Sequence, residues 1–369
     1  MSYESIDSLQ KFLADGVFSG AESRKKAAGR ALGTFVEIIT FYLLKTWGFA
    51  RGTAIERALR EFANESISHN VEFTLHGRKV LSEKPITAEK FPLRANEIFE
   101  DCEGQKIRGC VVDGNGVLEN AFKVFENEDF IFNVGIDSVN GKAALSKLKK
   151  SPFAMFECKR VGIEEGMKKG PQTIEKAKQG AYVARTVSKL QRIRLSNGTM
   201  GGIYQKRDGS FSEIRPYYDL LAELTDSREE DALRDFILSV GVVSNHGNWF
   251  TKETQNKEMR VLAQSYDWLL FLTDRGLSDF IMKLLLEPEE QYSAVKECFS
   301  KKYGGSAEKN RCSFTKKRIG IEADKALSLF FLKNITEIEN WFNVITPADK
   351  NISDLKNFLK KLERKESMS

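Results

Sequence analysis

Histidine and cysteine are sparse in this chain, and their spacing excludes whole classes of chemistry. The three His stand at 69, 76 and 246 and the five Cys at 102, 110, 158, 298 and 312 of 369 residues. No Cys-x-x-Cys occurs, and the scattered His have no Cys or carboxylate cluster beside them, which argues against a zinc site. An odd number of thiols does not suit a secreted disulfide framework; reduced cysteines in a cytoplasmic protein are the expectation. No phosphate-cradling P-loop is present, so no nucleotide cofactor is expected. The apolar run Phe35 to Leu44 contains Glu37 and is too short to span a bilayer, and no signal peptide is evident. Internal repeats and long low-complexity segments are also missing.

What remains is a globular composition, 41% hydrophobic, enough for one large domain or two. Residues 3–47 read as helical, ending near Gly48, and Thr53-Ala54-Ile55-Glu56 reads as a capping box that starts a further helix to about Asn64. Val71 to Gly77 alternates like a strand, and Phe130 to Val139 and Phe236 to Val243 are strand-like runs. Gly170-Pro171 begins a helix that should reach about Ile193, followed by loops and a hairpin over 196–215. From about Thr251 the pattern is helical almost to the end. The expectation is an α/β protein with a helical N-terminal region (1–66), a core with a mixed central sheet flanked by helices (67–250) and a helical C-terminal region (251–369), or the same elements as one continuous domain.

The most informative stretch is Phe153-Ala154-Met155-Phe156-Glu157-Cys158-Lys159-Arg160. In a strand Glu157 and Lys159 share one face with Phe153 and Met155, and Cys158 points to the other. A run apolar on both faces reads as a doubly buried strand. An acid and a base at its end are costly unless paired or metal-bound. A structural ion pair is the plain alternative. The similar Glu363-Arg364-Lys365 follows no apolar strand and reads as a solvated helical face.

Upstream, Asp137 sits inside the apolar strand-like run 130–139, which favours it as a carboxylate of the site; the turn signal Asn140-Gly141 follows, and a Lys-rich connection then leads to Ser151-Pro152. An antiparallel pair with a long connecting loop would set Asp137 beside Glu157 and Lys159. Two carboxylates at one point suit Mg²⁺, which keeps waters and takes phosphate oxygens, and a nearby lysine would activate water or stabilise charge on phosphorus. Asp113 and Asp129 compete with Asp137 for the first carboxylate, and Glu37 and Glu72 are candidate accessory acids.

Asp137, nineteen intervening positions, then Glu157-Cys158-Lys159 after an apolar strand resembles the PD-(D/E)xK nuclease superfamily, and within it type II restriction endonucleases with an EcoRI-like core. Lys168-Lys169-Gly170-Pro171-Gln172 leading into a helix is similar to the basic lead-in of their recognition helix. The proline that precedes the family's first Asp is absent here, Ile136 standing in its place. The resemblance covers roughly 130–195. It implies a restriction-endonuclease-like core with large helical additions and Mg²⁺-dependent, sequence-specific hydrolysis of double-stranded DNA, leaving 5′-phosphate and 3′-hydroxyl ends. Asp137 and Glu157 would hold the metal and Lys159 would serve the water.

The charge distribution agrees. Residues 141–215 carry 17 Lys/Arg against 6 Asp/Glu, a net of +11 in a chain whose total is +5. Such a basic excess is the footprint expected for polyphosphate. Lys168, Lys169, Gln172, Lys176 and Gln179 are the candidate DNA contacts, at the end of the helix that favours phosphate. A homodimer is expected, since two copies related by a two-fold axis cut both antiparallel strands most simply. A repair or junction-resolving nuclease of the same fold, or a DNA-binding protein without catalysis, are the alternatives.

Overall fold

The computed structural model describes residues 10–17, 24–58, 70–86, 90–160, 178, 181–182, 184, 188–206, 208–227, 236–244, 257–303 and 313–366. Helix α1 (Arg24–Thr46) buries Leu32, Phe35, Ile38, Ile39 and Leu43 along one stripe. It stops where Gly48 takes φ +88°, with Phe49 N donating to Leu44 O and Gly48 N to Lys45 O, a Schellman cap.

The strands of the large sheet are β1 (Thr53–Ala58), β2 (Asn70–Pro85), β3 (Phe122–Glu126), β4 (Phe130–Asp137), β5 (Lys142–Arg160), β6 (Leu238–Ser244), β7 (Trp268–Leu272) and β8 (Phe342–Thr346). Their path is β1-β2-β5-β6-β7-β8, with β4 on β5 and β3 on β4. The pairs β1–β2, β2–β5, β4–β5 and β7–β8 are antiparallel; β5–β6 and β6–β7 are parallel. The molecule is therefore mixed α/β, with a mixed central sheet flanked by helices. β6 is buried at every residue, as a central strand covered on both faces must be. One face packs on α1 through Phe73, Leu75, Phe156 and Cys158. The other packs Met155 against Ala181, Ala184, Met259, Leu262 and Tyr266.

β5 organises the site. It pairs with β2 over most of its 19 residues but changes its other neighbour midway, from β4 (Lys142 to Lys149) to β6 (Ala154 to Arg160). The change falls at Ser151-Pro152, inside an irregularity of the β2 ladder, where a residue without an N–H is tolerated.

Four expectations are corrected here. Thr53 to Ala58 is a strand, because β2 offers it a ladder from Ala58↔Asn70 to Thr53↔Leu75. Lys142 to Pro152 is strand and not loop, since Ala143 and Leu145 enter one core two positions apart and Leu148 is buried as well. The helix after Gly170 does not reach Ile193: Leu190–Arg194 is a strand paired with Met200–Tyr204. The region after Thr251 is not helical throughout, because β7 and β8 extend the central sheet and Arg318–Gly320 is a further strand. Among the described residues no helix is long and apolar enough to cross a membrane.

Candidate active site

Met155 pairs with Thr74 and Phe156 with Phe73, so Glu157 and Glu72 come next on adjacent strands and share one face. Lys159 Nζ lies 2.9 Å from Glu157 Oε1 and 3.0 Å from Glu72 Oε1. The other oxygen of Glu72 accepts from the backbone N of Cys158 at 3.1 Å. Glu157 is 1% exposed and Glu72 8%, whereas Lys159 is 31% exposed and gives the cluster its opening to solvent.

Two buried carboxylates on one ammonium shift one another. Burial, and next the charge of Glu157, raise Glu72 to about 7, against the pull of Lys159. Burial lowers the pKa of Lys159, but Glu157 and then Glu72 outweigh it and raise it above its ordinary value, so Lys159 is an ammonium at neutral pH. The Cys158 thiol on the opposite face is pushed up by burial first and Glu72 second, and is inert at neutral pH.

Tyr266 closes the site on the β6 side. Glu157 pairs with Gly241, and the Tyr266 ring rests where a side chain at 241 would stand. Burial and the carboxylates of Glu157 and Glu72 raise its hydroxyl well above 10, which keeps it a neutral phenol. On the β1 side, Lys316 Nζ lies 2.7 Å from Glu37 Oε2 of α1 and 3.4 Å from Glu56 Oε1. A cavity of about 530 Å³ bordered by Glu56, Arg57, Asn133, Lys150 and Lys317 opens next to this network.

The sequence-derived residues separate accordingly. Glu157 and Lys159 stand together, with Glu72 as the partner carboxylate and Glu37 one lysine further out. Asp137 is not brought to them. It pairs with Lys142, fifteen positions before Glu157 on the same strand, on the order of 50 Å along it at ~3.3 Å per residue. Its carboxylate caps the turn, accepting from Val139 N, Asn140 N and Asn140 Nδ2 at 3.2, 3.0 and 2.8 Å. Burial raises the Asp137 pKa, but the Asn140 hydrogen bonds outweigh it and hold the carboxyl below its usual range. Asp113 likewise caps a turn and pairs with Arg318 at 2.8 Å, while Asp129 takes Lys150 N on its backbone carbonyl. Lys168, Lys169, Gln172, Lys176 and Gln179 lie outside the described residues.

Sequence reading missed Lys316 and Tyr266. Neither sits in a motif, and only the fold brings Tyr266 to the Glu157 side and Lys316 to Glu37 and Glu56.

Among the described residues no group of three or more His, Cys, Asp or Glu is placed to hold a metal ion. Two carboxylates sharing one cation are nevertheless an all-oxygen donor set of the size Mg²⁺ takes from a protein, with Lys159 Nζ as the stand-in charge between them. The residues present fit that ion. No protein-family model, curated protein or solved structure matches the chain.

Proposed function

We propose that the chain is a Mg²⁺-dependent endonuclease acting on double-stranded DNA, of the type II restriction class, with its catalytic centre at Glu72, Glu157 and Lys159. The observation that carries this reading is the shared Lys159 ammonium between two buried carboxylates on adjacent antiparallel strands. A mixed sheet flanked by helices, with an acid-x-lysine pair at the end of an apolar strand, is the arrangement that the PD-(D/E)xK resemblance implies. The basic excess over 141–215 supplies the charge a phosphate backbone requires.

Glu72 and Glu157 would hold the ion, which supplies Lewis acidity toward the scissile phosphate. Lys159 works by charge: as an ammonium it cannot take a proton, but it can orient water and offset the negative charge that builds on phosphorus. Glu72 is raised to about 7, and losing that proton completes the donor set. Tyr266 excludes water from the β6 side. A two-fold homodimer presenting two such centres would break both strands at a palindromic site.

The test is incubation of DNA of known sequence with the protein and Mg²⁺, then mapping of the ends. Discrete fragments that vanish with a chelator support the reading. Structure-dependent nicks would assign the centre to repair or junction resolution, and binding without cleavage would make the ion pairs structural.

A further inference from the structure

Lys316 is held in place with unusual redundancy for a lysine. Phe314, fully buried, sits edge-on to Phe35 of α1 at 6.4 Å and to Phe299 at 5.3 Å. The turn that follows is closed by Thr315 N donating to Arg318 O at 2.8 Å and Arg318 N donating to Thr315 Oγ1 at 3.0 Å. Asn120 clasps its outer edge, Nδ2 donating to Lys316 O at 3.1 Å and N to Lys317 O at 2.7 Å. The side chain that this turn delivers is 7% exposed and ends between Glu37 and Glu56. Glu72 also feels its charge.

Two ion-pair groups therefore lie within electrostatic reach of each other: Glu157, Lys159 and Glu72, and Lys316 with Glu37 and Glu56. Two acids from two elements, Glu37 of α1 and Glu56 of β1, share one ammonium. A buried lysine is expensive, and hydrophobic residues would pack this corner at less cost. The two acids it neutralises at the edge of the candidate centre give the expense a use.

We propose that Lys316 is a built-in second cation of the catalytic centre, so that each chain takes one divalent ion at Glu72 and Glu157 and none at Glu37 and Glu56. This rests on the proposed function above. Lys316 is a positioning residue: it neutralises Glu37 and Glu56, steadies Glu72, and repels a second ion from the space between them. Glu37 then serves the lysine and not the metal.

The test counts Mn²⁺ bound per chain by titration calorimetry for the wild type, Glu37→Gln and Lys316→Met, with circular dichroism as the check on folding. One ion per chain is expected in the wild type and in Glu37→Gln. Lys316→Met removes the charge that keeps an ion from Glu37 and Glu56, so a second Mn²⁺ per chain is expected in that variant; Lys316→Arg should stay at one. Two ions in the wild type, one of them lost in Glu37→Gln, would overturn the inference while leaving the nuclease reading intact. A single ion per chain in folded Lys316→Met would overturn it as well. Should Lys316→Met fail to fold, the wild-type and Glu37→Gln counts decide alone. No Mn²⁺ binding by the wild type would remove the nuclease reading and this inference together.

Discussion

Gly241 and Tyr266 interlock beside the candidate catalytic carboxylate: a Cβ at 241 would stand 2.7 Å from the Tyr266 ring, closer than real contacts allow. Gly241 is the ladder partner of Glu157, so the missing side chain lets the aromatic ring reach the site. Gly241→Ala should cost ~1–3 kcal/mol as an overpacked core change. It should also lower cleavage by displacing the ring. Urea unfolding with a parallel cleavage assay checks both, and an unchanged protein would mean that the ring moves at no cost.

Glu72 is held against its charge, and that gives stability and function opposite signs. Its folded value of about 7 lies above the ordinary 4.5, so its favourable contribution is present below pH 4.5 and is lost as pH rises through 7. Glu72→Gln mimics the protonated form. At pH 8 the variant should be more stable than wild type by about 1–3 kcal/mol, since Gln cannot repel Glu157. Its Mg²⁺-dependent cleavage should be abolished. Chemical denaturation at pH 8 and pH 5 measures the first effect; loss of stability in the variant at pH 8 would make the Glu72–Lys159 pair a structural bridge.

His76 gives the opposite pH dependence. It is fully buried, its Nδ1 donates to Lys149 O at 2.7 Å, and Thr74 Oγ1 therefore donates to its Nε2 at 2.7 Å. Burial, then Arg57, lower its pKa to about 3 despite the Lys149 carbonyl. The neutral ring stabilises the fold fully above pH 6.5, and that contribution is lost as pH falls from 6.5 toward 3. The part of the stability decline in this window that His76→Gln removes should amount to a few kcal/mol, on the order of 1.4 per pH unit. A variant that declines in parallel with wild type would place the acid sensitivity elsewhere.

The sequence carried the half of the site that is local. Glu157 and Lys159 lie two residues apart after an apolar strand, so a period of two sets them on one face without knowledge of the fold. The first carboxylate was not legible. Asp137 had the spacing, but register decides between strands. Ala143, Leu145 and Leu148 are buried as the segment after the turn continues as strand, which carries Glu157 fifteen positions beyond Lys142, the ladder partner of Asp137. Glu72 could be named only as an accessory acid, because its place opposite Glu157 depends on a long-range antiparallel pairing. β7 and β8 were hidden for a related reason. Trp268-Leu269-Leu270-Phe271-Leu272 is a short continuous apolar run, which periodicity alone does not separate from buried helix. Lys316 had no signal at all, since the turn that aims it is built by Phe314 and Asn120 from different parts of the fold.

The central claim is that the centre is Glu72, Glu157 and Lys159, and that Asp137 stands outside it. Single-turnover cleavage of one DNA substrate in Mg²⁺ by Glu72→Ala and Asp137→Ala, side by side, tests it most directly. Asp137→Ala removes a turn cap and should lose about 1 kcal/mol of stability while cutting within a few-fold of wild type. Glu72→Ala should bind DNA and leave it uncut, as Glu157→Ala and Lys159→Ala should. A folded Glu72→Ala that cuts normally, beside an Asp137→Ala that does not, would contradict the account.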